Sequence, residues 1–170
     1  MHELERHSLE AFAQVQKLDF VFVLDGIRSL NNVGSVFRTA DAFRVKEILL
    51  CGATGQPPHR DIQKTALGAT ETVLWSHFAN ITDCLKDLCN QGYMIVSIEQ
   101  TKGSTMLNDF RFVPDQKYAF ILGNEVSGVS DEALSMSDMV LEIPQFGSKH
   151  SLNVAVTAGI VAWEFVSQKL

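Results

Sequence analysis

Apolar residues along the chain fall into short continuous runs, and stretches of helical spacing separate them. FVFVLDG (20–26) is an unbroken apolar run ending in Asp-Gly, the pattern of a buried parallel strand followed by a turn. EILLCG (47–52), GYMIVSIEQ (92–100), YAFILGNE (118–125) and MVLEIPQ (139–145) repeat that pattern. Between the first two runs, Val33, Val36, Phe37, Ala40 and Phe43 share one face of a helix over 31–43, with Gly34, Arg38 and Asp41 on another. Further helices are predicted over 2–17, where Leu9, Phe12 and Val15 stand at spacing three, over 81–89, and briefly over 131–135. The last helix, 151–168, is apolar almost all round. Leu152, Val154, Ala155, Val156, Ile160, Val161, Trp163, Phe165 and Val166 need cover on several sides, part of which a second subunit would supply.

Strands alternating with helices predict an α/β protein, a mostly parallel sheet covered by helices on both faces. The 170 residues suit one domain, read as residues 20–170 preceded by a short helical extension over 1–19. In such sheets ligands bind beyond the carboxyl ends of the strands.

A composition of 46% hydrophobic and 20% charged residues is that of an ordinary globular chain. No apolar run approaches the roughly 20 residues that span a bilayer. The charged start, MHELERHSLEAF, lacks the apolar stretch of a secretory signal, so a cytoplasmic protein without membrane contact is expected. Cys51, Cys84 and Cys89 show neither metal nor disulfide spacing and read as buried reduced thiols. His59, His77 and His150 show no ligand spacing either, and no metal is expected.

A net charge of −6 argues against holding nucleic acid by bulk electrostatics. Residues 26–64 nevertheless carry six basic groups (Arg28, Arg38, Arg44, Lys46, Arg60, Lys64) against three acidic ones. That is a local basic face, although charge alone fits a solvated surface equally well.

Three strand ends carry candidate chemistry. In LDGIRSLNNVGSVFRTADAF, Asn32 stands where an N-cap would stand. Gly34, one turn before Arg38, leaves that arginine free to reach a ligand. The segment lacks the G-x-G-x-x-G of a dinucleotide site. In ILGNEVSGVS, Gly123 and Gly128 flank Glu125 at the end of a strand and permit close backbone approach. In LEIPQFGSKHSLNVAVTAG, Pro144 ends a strand, Gly147 gives a loop, and Ser151 begins a helix with Asn153 in its first turn. The free N–H groups of that helix start suit an electron-rich group. Each segment by itself is equally a capped helix or a tight turn.

Together they are more specific. N-x-G-x-x-x-R-T-A (Asn32 to Ala40), G-N-E-x-x-G-V (Gly123 to Val129) and I-P-x-x-G-x-x-x-S-L-N-V (Ile143 to Val154) resemble, in order and approximate spacing, the three motifs of the SpoU (TrmH-like) RNA 2′-O-ribose methyltransferases. The resemblance extends over about residues 20 to 168. It implies the SPOUT fold, an α/β domain with a C-terminal trefoil knot, acting as a homodimer on tRNA or rRNA with S-adenosyl-L-methionine (SAM) as methyl donor.

By the same resemblance, the donor lies against Leu122, Gly123, Gly128, Ile143, Ser151 and Leu152, largely through backbone groups. Asn32, Arg38, Glu125, Ser151 and Asn153 match the catalytic positions. Arg38 matches the arginine that helps deprotonate the ribose 2′-hydroxyl. Because arginine normally stays protonated, a phosphate-held orienting role stands beside that of base. His59, Arg60 and Lys64 are candidates to touch RNA phosphates.

Gln145 stands where many relatives have methionine, and Thr157 where a small residue is common. The short N-terminal segment and acidic charge favour a compact tRNA enzyme over an rRNA enzyme. Two other readings are a SAM- or RNA-binding protein of this fold without catalysis, and a flavodoxin-like nucleotide module whose motifs are coincidental. Bound SAM would exclude the latter, and methyl transfer to RNA the former.

Overall fold

A computed structural model describes residues 15–148 and 151–170. Seven strands form one sheet: β1 (Leu18–Asp25), β2 (Val45–Cys51), β3 (Leu74–Phe78), β4 (Tyr93–Ile98), β5 (Thr105–Met106), β6 (Lys117–Leu122) and β7 (Met139–Glu142). Their order is β3-β2-β1-β6-β4-β7-β5, and every pairing is parallel. The helices are α1 (Leu30–Ala42), α2 (Arg60–Ala66), α3 (Ala69–Thr72), α4 (Ile81–Asn90), α5 (Asp131–Met136) and α6 (Val154–Ser167). The expected α/β architecture is therefore present.

The two faces of the sheet are built differently. Alternation along β1 and β6 sends Phe20, Phe22, Leu24, Tyr118, Phe120 and Leu122 to one side, beneath α1, α2 and α6. Val21, Val23, Ala119 and Ile121 go to the other, beneath α4 and α5. The first side is aromatic: Phe165 of α6 lies 4.6 Å from Phe20 and 4.9 Å from Phe112, ring centre to ring centre. Truncating Phe120 in that cluster would cost about 3–5 kcal/mol. Tyr118 is fully buried, and its hydroxyl accepts the Val113 N–H at 2.9 Å, so its polar end is satisfied.

This arrangement fixes the place of the site. The chain leaving β1 crosses through α1 to β2, on one side of the sheet. The chain leaving β6 crosses through α5 to β7, on the opposite face and in the opposite direction along the sheet. The crevice between β1 and β6 is the switch point where such sheets bind ligands. β1, β6, β4 and β7 are consecutive neighbours, so the loops after all four lie side by side.

Several expectations are corrected. The N-terminal helix falls on residues 1–14, which lie outside the described residues, and on 15–17, which are not helical. Ser29, not Asn32, caps α1: its side chain accepts the Asn32 N–H, and Asn32 sits in the first turn. Ser151 does not begin the last helix. Asn153 is its N-cap, accepting the Ala155 N–H at 2.9 Å, and α6 starts at Val154. Cys51 and Cys84 are buried in one cluster, whereas Cys89 is exposed. A hydrogen bond with Cys51, then burial, holds the Cys84 thiol far above its ordinary range, so it stays protonated. Among the described residues, no helix is long and apolar enough to cross a membrane.

Candidate active site

The loops after β1, β6 and β7 are tied together by side chains from all three motifs. Glu125 is the hub. Its Oε1 accepts the Ser29 N–H at 3.1 Å and the Asn32 Nδ2 at 3.1 Å, and its Oε2 accepts the Arg28 N–H at 3.2 Å. Asn32 Oδ1 in turn accepts Asn153 Nδ2 at 3.1 Å. Burial alone would raise the Glu125 carboxyl. Hydrogen bonds from its own, Arg28 and Ser29 backbone N–H groups and from the Asn32 amide outweigh it and hold the group below its ordinary value. Its carboxylate clasps the start of α1.

The loop after β6 is shaped by its glycines. Asn124 and Gly128 exchange two backbone hydrogen bonds of 2.9 Å, closing a tight turn. A Cβ on Gly123 would collide with the backbone of Gly128 and Val129, so only glycine fits. Gly128 has φ +72°, and a Cβ there would strike the Glu99 carboxylate. Asn124 also donates to the Gly26 carbonyl at 2.6 Å, and Asp25 accepts the Ser130 N–H at 2.8 Å, joining this loop to the end of β1.

The loops after β4, β6 and β7, with the start of α6, line a cavity of about 680 Å³, and the loop after β1 is joined to it through Glu125 and Asn124. Every residue expected to contact the donor lines it: Leu122, Gly123, Gly128, Ile143, Ser151 and Leu152. Glu125 and Asn153 line it too, while Asn32 reaches it only through them. Gln145 and Thr157, the two departures from the family pattern, both face it. Three carboxylates line the cavity (Glu99, Glu125, Asp131), and no Lys, Arg or His does so among the described residues.

Glu99 was not anticipated. It follows β4, accepts the Val129 N–H at 3.0 Å and the Gln100 N–H at 2.9 Å, and braces the turn that walls the cavity. An acid directly after a strand adjoining β6 was the available signal. Asn124, inside the G-N-E-x-x-G-V motif, is a second unanticipated residue, through its bonds to Gly26 and Gly128.

Arg38 lies elsewhere. It lines a second cleft, of about 460 Å³, between α1 and α2. Gly34 admits α2: a Cβ there would collide with Thr65 Oγ1 and the Ile62 carbonyl. Within one chain, Arg38 and the cavity are thus separate.

The cavity fits SAM. Its volume is that of a small-ligand pocket. Its acidic lining suits a positively charged sulfonium and opposes an unshielded phosphate. Gly123, Ile143 and Leu152 are among its lining residues. Among the described residues no group of three His, Cys, Asp or Glu could hold a metal ion.

Comparison with known proteins agrees. The SpoU rRNA Methylase family matches residues 19–163. The 23S rRNA (guanosine-2′-O-)-methyltransferase RlmB of Neisseria meningitidis serogroup B is 29% identical over 164 residues, which are 96% of this chain and 64% of that protein. The chain thus spans less than two thirds of that relative. The A. aeolicus TrmH/SpoU tRNA modifying enzyme superposes with a TM-score of 0.84 at 25% identity, over 95% of this chain and 80% of that one. The AdoMet-bound rRNA methyltransferase of Sinorhizobium meliloti gives a TM-score of 0.84 at 25% identity, over 94% and 60%. With a family match over residues 19–163 and the three motifs joined through Glu125, Asn32 and Asn153, the chain belongs to the SpoU methylase family.

Proposed function

We propose that this chain transfers a methyl group from SAM to a ribose 2′-hydroxyl of RNA. The observation that carries the reading is the cavity beyond the carboxyl ends of β4, β6 and β7, lined by the second and third motif loops and three carboxylates, with the first motif tied to it through the Asn32 bonds to Glu125 and Asn153. Bound there, SAM would supply an electrophilic methyl group on a positively charged sulfonium. Gly123, Ile143 and Leu152 would hold its adenosine part through main-chain groups, and Glu99 offers a carboxylate to ribose hydroxyls. The clasp of Glu125, Asn32 and Asn153 keeps the loops in register, so the cavity needs little rearrangement on binding.

Arg38 is assigned to the acceptor, as base or as phosphate-held orienter of the 2′-hydroxyl. Because it lies outside the cavity of its own chain, the reading calls for a homodimer in which a second subunit brings RNA and donor together. Val156 and Trp163, both about half exposed on α6, supply an apolar face for that contact. The trefoil knot and a cytoplasmic location belong to the same reading.

The expected preference for tRNA over rRNA gains no support. Relatives of similar likeness are named for 23S rRNA and for tRNA, so the substrate is assigned as RNA of either kind.

The test is incubation with methyl-labelled SAM and, separately, bulk tRNA and rRNA, followed by alkaline hydrolysis. A labelled dinucleotide resistant to alkali is expected, because a 2′-O-methyl group blocks cleavage of the next bond. Label released with single nucleotides would place the methyl on a base and overturn the reading.

A further inference from the structure

The cleft between α1 and α2 has a lining opposite to that of the cavity. Ser35, Arg38 and Thr39 face it from α1, and Lys64 and Thr65 from α2. Leu67 closes one side. No carboxylate lines it, on a chain of net charge −6. Two other cations of the basic segment approach carboxylates: Lys46 lies 3.7 Å from Asp19 and Arg60 3.9 Å from Asp61. Arg38 and Lys64 pair with no carboxylate among the described residues, and both are exposed.

The cleft is built into the packing. Gly34 lets α2 approach α1 closely. The Thr65 hydroxyl donates to the Asn31 carbonyl at 2.9 Å, fastening the two helices beside Lys64. Two like charges held at one cleft repel each other unless an anion joins them. The Ser35 and Thr39 hydroxyls beside a guanidinium and an ammonium are the donor set that backbone phosphates take.

We propose that the α1–α2 cleft seats a phosphodiester of the bound RNA, with Lys64 as a substrate-binding residue beside Arg38. The inference rests on the RNA methyltransferase reading and extends it to a subsite. The contact carries no base information, so it acts alike on every RNA. Lys64 contributes to binding, and Arg38 adds a role at the reacting hydroxyl.

The experiment measures binding of end-labelled bulk tRNA and rRNA across a salt series, with wild type, Lys64→Gln, Lys64→Arg and Lys86→Gln. Lys86 is exposed on α4, on the opposite face of the sheet, and controls for net charge. Lys64→Gln should weaken binding roughly 3- to 10-fold and lower the slope of log K against log salt by about 0.7–0.9. Lys64→Arg should restore both, and Lys86→Gln should change neither. SAM affinity should be the same for all four proteins, and methylation by Lys64→Gln should show a raised KM with kcat retained. An unchanged slope for Lys64→Gln, or an equal fall for Lys86→Gln, would overturn the proposal. Methyl transfer by the wild type is read separately, so loss of the enzymatic reading and loss of this subsite give different results.

Discussion

The cavity at the strand ends and the cleft between α1 and α2 solve opposite problems. In the cavity, polar groups are spent on one another. Glu125 takes three donors, Glu99 takes two, and glycines bring main chain against main chain. In the cleft, two cations stand beside hydroxyls with no carboxylate among the lining residues. The first is complete without a partner and suits a small cationic donor. The second is left for a polyanion. The contrast separates donor binding, a matter of preformed shape, from acceptor binding, a matter of charge that salt can screen.

Substitutions at three positions probe the preformed half, from the largest effect to the smallest. Gly123→Val puts side-chain atoms into the backbone of Gly128 and Val129. It should lower stability by about 2–4 kcal/mol in chemical denaturation and abolish SAM binding in calorimetry. Retained SAM affinity would mean that the turn is not the donor's wall.

Glu125→Ala should cost about 1 kcal/mol, since the group is exposed and its donors recover water. Its pH dependence has a definite sign. Because the folded-state pKa lies below the ordinary value, the carboxylate contributes stability above the unfolded pKa, near 4.3. That contribution is lost as pH falls through the folded value. Glu125→Gln should therefore flatten the acid limb of the stability profile, and an unaltered limb would remove Glu125 as the clasp.

Asn153→Ala removes the N-cap of α6 and the link to Asn32. A loss of about 1 kcal/mol is expected by thermal denaturation, with weakened SAM binding. Loss of stability with SAM affinity intact would reduce Asn153 to a cap.

Much of this was legible in the sequence, for physical reasons. Strands buried on both faces are continuous apolar runs, so β1, β2, β4 and β6 announced themselves, and the half-buried β7 did so through its apolar run Met139–Leu141. β3 did not: LWSHF lies at the sheet edge with Leu74 and His77 exposed, so it has no such run. β5 is two exposed residues paired only with β7, too short for any pattern. The motif loops were legible because glycine and asparagine at fixed spacing mark tight turns. What escaped was pairing across the chain. Gly34 meets residues some 30 positions away, and spacing within α1 cannot reveal that neighbour. Glu99 carried no glycine signature, and its role follows from β4 lying beside β6 rather than from its own segment. Ser29 and Asn32 are both good caps, and only geometry chose between them.

The division between donor and acceptor is tested most directly by Arg38→Ala, with SAM binding and RNA methylation measured on the same preparation. The account predicts SAM affinity equal to wild type and a fall in methyl transfer of about 10²-fold or more. Normal turnover would contradict the role given to Arg38, and lost SAM binding would contradict the separation of the two sites.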